Sequence, residues 1–340
     1  MKRNQVRVHR LPIPETYVSY SNPVTHPPIL VTGAHRSGTT WVGRMLAASG
    51  THAYVSEPLN RWRRPGVMRA AVTHWYTCIT TENEGEYLPA FRDTLALRYG
   101  LGRELLSLRS PKDAGRMLRD ATIFARGRLS GQPALLKDPF ASFSTEWFAD
   151  RLGCKMVLVA RHPAAFASSL KRLNWSFDFD DLLAQPLLMR AWLEPHRAAL
   201  TAAKESKDIL VRAGALWNAI YDVFHQLRQR RPDFIVVRHE DLSRNPVAGY
   251  LALYQQLGLP FTARAEARIL KASSAENPGE VSRENIYNVN LDSQANLKNW
   301  QKRITADETA ALRAQTAAVA AHFYTDADWD QPTTQPTQTQ

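Results

Sequence analysis

Apolar runs short enough for β-strands alternate along the chain with segments in which apolar residues recur at helical spacing. The first run, PPILVTG at residues 27–33, ends at a glycine, which is typical of a buried parallel strand. Residues 39–49 follow a helical pattern, and Gly50 is a C-cap signal. Further strands are predicted at ALLKD (134–138), KMVLVA (155–160) and FIVVRHE (234–240). This alternation predicts an α/β fold with a central parallel β-sheet flanked by helices.

The remaining segments predict how the chain is organised around that sheet. Residues 181–231 are mostly helical in pattern and are expected to form a cap or side layer. Residues 60–130 are aromatic and Arg-rich without clear periodicity, and are expected to be helices and loops that shape a pocket. The Pro-rich residues 1–27 predict a surface arm, and the polar repeats of 331–340 predict a disordered tail. Residues 28–330 are then expected to form one domain.

Composition limits the classes of partner. The chain has 340 residues, of which 44% are hydrophobic, so it can bury a large core. Its formal net charge of +11 favours an anionic partner, and a merely solvated basic surface is the alternative. The basic residues are dispersed rather than clustered, which argues against nucleic acid. The sequence leaves the oligomeric state open.

Cysteine content and apolar segment length indicate the compartment. Cys78 and Cys154 are too few for a disulfide framework or a cysteine metal cluster, and both are expected to be core thiols. No segment approaches the roughly 18 consecutive apolar residues that span a bilayer. The charged N-terminus has no apolar export signal after it. We therefore expect a cytoplasmic protein without a transmembrane segment.

The loop after the first predicted strand has the spacing of a phosphate-binding loop with one change. Gly33 and Gly38 are separated as in a Walker A motif, but Thr39 and Thr40 stand where Lys-Thr is required. A cation is nevertheless present inside the loop, at Arg36. Small residues before a helix N-terminus let backbone N–H groups converge on an anion, and the hydroxyl side chains add donors. The segment therefore predicts an anion site.

Two motifs resemble those of the sulfotransferases that use 3′-phosphoadenosine 5′-phosphosulfate. The first is RSGTTW at residues 36–41, which matches their nucleotide loop residue for residue. The second is Arg161 at a predicted strand end with Ser169 eight residues later, the spacing at which the family binds the donor's 3′-phosphate. The resemblance covers about residues 29–322. It implies a P-loop NTPase-like fold, this donor and no metal.

The resemblance also implies roles for individual residues. The donor-binding set it gives is His35, Arg36, Ser37, Gly38, Thr39, Thr40, Trp41, Arg161 and Ser169. Trp41 is either an adenine-stacking residue or part of the core, and family precedent favours stacking. Arg36 replaces the family's loop lysine and is expected to stabilise charge rather than to donate a proton. Lys137 takes the position of a second family lysine near the transferred group.

The general base is less well determined by the sequence. The histidine that serves in cytosolic members is replaced by Pro139. Glu57 stands where carbohydrate-type members carry a catalytic glutamate, so we assign the base to it. Asp138 and His35 are the alternatives. Glu57 could instead simply pair with one of the arginines of the NRWRRPG segment, Arg61 or Arg63.

The C-terminal part matches the family less well. The segment LKNWQKRITADE (297–308) resembles the start of the family's last helix, with Thr305 and Glu308 predicted to form a capping box. The Arg-Lys-Gly motif that clamps the nucleotide in cytosolic members is absent. Arg283 and Lys298 are candidate replacements, with solvated surface as the alternative for each.

The expected acceptor is a small molecule or glycan that receives a sulfonate group on a hydroxyl. The cations and the tryptophan of NRWRRPG, next to Glu57, suit an anionic sugar or glycolipid headgroup, or else belong to a solvated surface. Two other classes stay open. A P-loop kinase would require a lysine after Gly38 and a Mg²⁺-binding carboxylate, for which Asp138 is the candidate. A nucleotide- or polyanion-binding module would need neither Glu57 nor Lys137.

Overall fold

A five-stranded parallel sheet forms the centre of the molecule. The computed structural model describes residues 26–62, 64–282 and 288–329. The strands are β1 (Ile29–Gly33), β2 (Ala53–Ser56), β3 (Ala134–Lys137), β4 (Lys155–Ala160) and β5 (Ile235–Arg238). They lie in the order β2-β3-β1-β4-β5, every neighbouring pair being parallel, with Val31 aligned to Lys137 and to Val157. The predicted α/β fold with a parallel sheet is confirmed.

Helices cover both faces of the sheet. They are α1 (Thr39–Leu46), α2 (Glu84–Leu95), α3 (Leu101–Leu105), α4 (Pro111–Leu129), α5 (Thr145–Leu152), α6 (Pro163–Leu173), α7 (Asp180–Leu183), α8 (Pro186–Leu188), α9 (Arg197–Glu205), α10 (Ile209–Arg230), α11 (His239–Arg244), α12 (Pro246–Leu257), α13 (Ala263–Ser273), α14 (Ser293–Lys298) and α15 (Ala306–Ala320). Short 3₁₀ turns occupy Ala47–Ser49, Pro139–Ala141, Glu194–His196, Asn299–Lys302 and Asp326–Asp328, and a π turn occupies Met189–Leu193. None of the helices in the described part of the chain has the length and apolarity that crossing a bilayer requires.

Alternate strand residues feed two separate cores. Leu30 and Leu158 point into the larger one, where α10 packs against α6 and α15. Val31 and Val157 point to the opposite face, which is covered by α1, α12 and α13. Because parallel sheets are covered on both faces, their strands read as continuous apolar runs, and all five residues of β1 are buried.

The regions outside the sheet follow the sequence pattern to different degrees. The 22-residue α10 accounts for the predicted helical side layer within 181–231. Residues 60–130 form α2, α3, α4 and long loops. The capping box of Thr305 and Glu308 at the start of α15 is confirmed, and both cysteines are free and buried. The tail 331–340 and most of the predicted arm, residues 1–25, lie outside the described residues.

Candidate active site

The glycine loop leaves β1 at the carboxyl edge of the sheet and leads directly into α1. Gly38 precedes α1 with φ of 94°, a left-handed conformation that glycine adopts without strain. A Cβ at this position would also overlap the imidazole of His239. No side chain caps the N-terminus of α1, so its first N–H groups remain available to an anion.

The residues of the two motifs come together at this loop. The Arg36 guanidinium donates from Nε to Oγ of Ser169 at 3.3 Å. Nη1 of Arg161 donates to the carbonyl oxygen of Arg36. Arg36 itself has φ of 67°, which turns the loop back toward α6. Arg36, Arg161 and Ser169 therefore form one cluster, although Arg36 and Ser169 are 133 positions apart in the sequence.

The cluster contains two buried polar atoms, Oγ of Ser37 and Nε of Arg161. The hydroxyl of Ser37 is fully buried, and neither it nor Nε of Arg161 has a hydrogen-bond partner among the described residues. Burial lowers the pKa of Arg161, with Glu240 acting in the opposite direction. Since buried donors rarely stay unsatisfied, these atoms mark a place for an anionic ligand.

A cleft of about 960 Å³ opens beside the loop. It is lined by loop and α1 residues, by α6 and by the segment after α13, and its polar members include Arg36, Thr39, Thr40, Arg161, Ser168, Ser169, Arg172, His239, Asn296, Asn299 and Arg303. The donor-binding residues predicted from the two motifs lie at this cleft or, in the case of Ser37, buried in the loop beside it. His35 is the exception, because it faces a second cavity.

Trp41 combines the two alternatives offered for it. The side chain lines the cleft, but only 9% of the residue is exposed. Its ring packs edge-on against Tyr250 at a centroid distance of 5.2 Å and lies 5.5 Å from His239. Most of the indole is therefore core, and only a limited part is available to a ligand.

Two cleft arginines were not predicted from the sequence. Arg172 lies one helical turn after Ser169 on α6, and Arg303 follows the 3₁₀ turn of residues 299–302. Both contact the carboxylate of Glu280, Arg172 at 3.5 Å, and Nη1 of Arg303 also donates to Ser168 at 3.1 Å. The spacing of three residues between Ser169 and Arg172 was a signal that could have revealed the first of them.

The predicted clamp residues do not account for this part of the cleft. Lys298 is exposed at the end of α14 and is not among the residues that line the cleft. This position agrees with the alternative that Lys298 belongs to a solvated surface. Arg283 lies outside the described residues. Arg303, five positions after Lys298, is the cation that the structure brings to the cleft.

A second cavity, of about 1080 Å³, lies on the other side of the loop. Arg36, Thr39 and Thr40 line both cavities, so the loop is their common wall. The remaining lining residues are His35, Glu57, Asn60, Arg61, Trp62, Trp75, Pro139, Phe140, Trp175, Ser176, Phe177, Asp178 and Asp181. A ligand in each cavity would therefore meet at the loop.

Glu57 lies in the second cavity and is held by two partners. Its carboxylate pairs with Nζ of Lys137, and its Oε2 accepts from Nδ2 of Asn60 at 2.8 Å. Burial disfavours the charged form of Glu57, but the charge of Lys137 and these hydrogen bonds outweigh it and keep the pKa below its ordinary value. The carboxylate is thus ionised at neutral pH. Arg61, one of the suggested partners, pairs with Asp181 instead, and Arg63 lies outside the described residues.

Lys137 is buried behind Glu57 at the end of β3. Only 1% of it is exposed, and it is not among the residues that line either cavity. Burial lowers its pKa, whereas Tyr54 and Glu57 raise it, and the net pKa lies above its ordinary value. Lys137 is therefore a charged residue whose hydrogen bond orients Glu57.

The two alternative bases are both occupied by other contacts. The carboxylate of Asp138 accepts the backbone N–H groups of Leu59 and Phe140 and is 1% exposed. Burial raises its pKa to about 7. In the loop, the hydroxyl of Tyr76 accepts the N–H of His35 and lies 2.7 Å from Nδ1 of the same residue. Burial lowers the pKa of His35 to about 3, so the ring is neutral and is held by this hydroxyl through Nδ1.

Comparison with known proteins identifies the family of the chain. The parallel sheet, with the glycine loop that leads into α1 at its carboxyl edge, defines an α/β protein of the P-loop-like class. Residues 27–263 match the sulfotransferase family. Because this match covers more than half of the chain, the protein belongs to the sulfotransferase family, and the family predicted from the two motifs is confirmed.

Several solved sulfotransferases are similar to the chain at low sequence identity. The sulfotransferase domain from the curacin biosynthetic pathway is 16% identical, with 86% of this chain and 98% of that one covered and a TM-score of 0.43. Sulfotransferase STF9 from Mycobacterium avium is 17% identical, with coverages of 88% and 77% and a TM-score of 0.43. Mouse sulfotransferase SULT7A1, complexed with PAP, is 10% identical, with coverages of 89% and 86% and a TM-score of 0.41. The chain matches none of the curated proteins with which it was compared.

Proposed function

We propose that the protein is a cytoplasmic enzyme that transfers the sulfuryl group of 3′-phosphoadenosine 5′-phosphosulfate to a hydroxyl of a carbohydrate or glycolipid, and that residues 28–330 form its catalytic domain. The observation that carries the proposal is the common wall of the two cavities, at Arg36, Thr39 and Thr40. An anionic donor on one side and an acceptor on the other would meet at that wall. Two buried free thiols accord with a reducing compartment.

The cleft residues fit the donor's two anionic ends. The loop N–H groups, the hydroxyl of Ser37 and the Arg36 guanidinium suit the phosphosulfate end. Arg161 and Ser169 suit the 3′-phosphate, and the partnerless Nε of Arg161 supports that assignment. Trp41 offers a ring edge to the adenine. Because arginines supply the positive charge, the proposal includes no metal.

Each protein group has a defined part in the reaction. The bound donor supplies an SO₃ group whose bond to the phosphate oxygen breaks, with the electron pair left on phosphate, as a bond to the acceptor oxygen forms. Arg36 stabilises the charge that develops at the wall between the cavities. Glu57, ionised and facing the acceptor side, takes the hydroxyl proton. Lys137 fixes the orientation of Glu57, which assigns it to positioning within the catalytic set.

Binding of 3′-phosphoadenosine 5′-phosphate tests the donor assignment directly. Isothermal titration without added Mg²⁺ is expected to show tight binding to the wild type. In Arg161→Ala, loss of charge-assisted hydrogen bonds weakens binding by about 1.5–3 kcal/mol, a tenfold change or more. Arg151→Ala is the matched control, because Arg151 pairs with Glu84 and does not line either cavity.

The contrary results point to the kinase alternative. Absence of binding, or binding that requires ATP together with Mg²⁺, would contradict the proposed donor. The kinase needs a carboxylate at a strand end that is free for Mg²⁺. Both oxygens of Asp138 are already engaged by backbone N–H groups, which supports the sulfotransferase assignment. Retained nucleotide binding without turnover would favour a non-catalytic module.

A further inference from the structure

Aromatic rings form a continuous wall in the second cavity. Trp62 meets Trp75 edge-on at 5.6 Å, and Trp75 lies 4.3 Å from Phe140. On the other side His35 stacks with Phe177 at 6.2 Å and meets Trp175 edge-on at 6.0 Å. Pockets of this kind bind the apolar face of a ring and leave its polar edge to a few hydrogen-bonding groups.

Two of these rings are unusually exposed. Trp62 is 70% exposed and Trp175 is 37% exposed, and no other tryptophan of the described residues is that exposed. Both border the cavity. Large aromatic side chains left in water next to a cavity are a common feature of ligand surfaces rather than of folding.

The charges of the cavity give no advantage to an anionic acceptor. Arg61 is neutralised by Asp181, at 3.0 Å. Arg64 turns away from the cavity to Asp120 and the carbonyl of Ser56. Asp178 is exposed, its Oδ1 accepts the N–H of Asp180 at 3.0 Å, and it has no ion pair among the described residues. Glu57 is ionised but paired with Lys137, so Asp178 is set against Arg36 of the shared wall, and the charges of the described residues balance on this side.

Resting on the proposed function, we propose that the second cavity selects an uncharged ring-bearing alcohol, of the neutral glycoside class, and rejects anionic sugars. Trp62 and Trp175 hold the apolar face of the acceptor ring. Asp178 accepts hydrogen bonds from the ring's hydroxyls, and the amide of Asn60 accepts or donates them. Asp178 repels a carboxylate or sulfate carried by the acceptor. Of the described cations of NRWRRPG, Arg61 is paired with Asp181 within the cavity and Arg64 with Asp120 outside it.

The test compares three acceptors bound to the enzyme already saturated with 3′-phosphoadenosine 5′-phosphate. They are p-nitrophenyl β-D-glucopyranoside, the corresponding β-D-glucuronide and the corresponding β-D-xylopyranoside. Titration calorimetry measures affinity whichever hydroxyl is sulfated. The glucoside is expected to bind at least about tenfold more tightly than the glucuronide. The xyloside, which lacks carbon 6 and is neutral, should bind within about threefold of the glucoside if charge is the cause.

Variants assign the effect to residues. Trp62→Ala and Trp175→Ala are each expected to weaken glucoside binding about five- to tenfold. Leu129→Ala is the control, because Leu129 is 89% exposed and does not line the cavity. Asp178→Asn should bring the glucuronide to within about threefold of the glucoside without changing nucleotide affinity.

Three outcomes are decisive. A glucuronide that binds as tightly as the glucoside overturns the inference, as does failure of all three glycosides to bind the nucleotide complex. In both cases nucleotide binding itself leaves the proposed sulfotransfer intact. Failure of 3′-phosphoadenosine 5′-phosphate to bind overturns the proposed function, and the inference with it.

Discussion

The two cavities on either side of the glycine loop differ in charge and in origin. Among the described residues that line it, the cleft beside α6 holds four arginines, Arg36, Arg161, Arg172 and Arg303, and one carboxylate, that of Glu280. The second cavity has aromatic walls, and its arginine away from the loop, Arg61, is paired with Asp181. One loop thus separates an electropositive cleft from an aromatic cavity in which the charges of the described residues balance. Positive charge is therefore concentrated on the proposed donor side, where a nucleotide with two anionic ends would need it.

Replacing Glu57 should affect the proposed acceptor side alone, and we expect it to have the largest effect on turnover. Glu57→Gln keeps the shape of the side chain and its contact with Asn60 but removes the base. The turnover number is expected to fall about 10²- to 10⁴-fold. Steady-state release of 3′-phosphoadenosine 5′-phosphate measures it. Nucleotide affinity, measured by calorimetry, should stay within about twofold, because Glu57 does not line the donor cleft.

Glu84→Gln is the matched control for that experiment. Glu84 is also ion-paired, to Arg151, but at the start of α2 and away from both cavities. Its replacement should leave turnover unchanged. An active Glu57→Gln enzyme would transfer the role of base elsewhere and reduce Glu57 to an ion-pair partner of Lys137.

Replacing Arg36 should affect both sides of the loop, because this residue lines both cavities. Arg36→Ala is expected to lower turnover, because it raises the activation free energy by about 3–4 kcal/mol, the usual effect of losing a charge stabiliser. Unlike Glu57→Gln, it should also weaken nucleotide binding. Arg36→Lys, which restores the charge without the bidentate fork, should recover part of both effects. Unchanged nucleotide affinity in Arg36→Ala would contradict its position in the shared wall.

The donor motif could be predicted from the sequence because its residues are contiguous or regularly spaced. Residues 36–41 form one loop, and Arg161 and Ser169 are fixed by a strand end and the helix after it. Arg303 could not be found in this way, because it reaches the cleft through packing of the 3₁₀ turn of residues 299–302 against α6. The fold was predictable for the same reason as the loop: a fully covered parallel sheet leaves long apolar runs.

The acceptor cavity was far less predictable. Trp62, Trp75 and Phe140 come from three loops, and nothing in local periodicity brings them together. The ion pairs of the NRWRRPG arginines with Asp181 and Asp120 were not predictable either, because they depend on tertiary packing. A count of nearby cations in sequence does not give the charge of a pocket when their partners lie 56 or 120 residues away.

His35, which lines the second cavity, makes the free energy of unfolding depend on pH. In the folded protein burial lowers its pKa from 6.5 to about 3, so it stays neutral while the unfolded chain takes up a proton below pH 6.5. The stability that it contributes is therefore complete above pH 6.5 and is lost as the pH falls. Between pH 7 and pH 5 the loss is about 2 kcal/mol for this group. Urea unfolding of the wild type and of His35→Gln at both pH values measures it as the change in their difference. An equal pH dependence in both proteins would mean that His35 is not buried as a neutral ring.

Replacing Glu280 should have the smallest effect of these changes. It tests whether this carboxylate offsets part of the positive charge of the cleft. Glu280 contacts both Arg172 and Arg303, which line the cleft. A carboxylate in that position competes with an anionic ligand for the same two guanidinium groups. Glu280→Gln should therefore tighten binding of 3′-phosphoadenosine 5′-phosphate by about 0.5–1 kcal/mol, two- to fivefold, with the gain reduced at high salt. Glu276→Gln, a solvent-exposed change just after α13, is the control. Weaker binding in Glu280→Gln would show instead that the carboxylate orients the two arginines for the ligand, and the excess positive charge of the donor side would then be smaller than its arginines indicate.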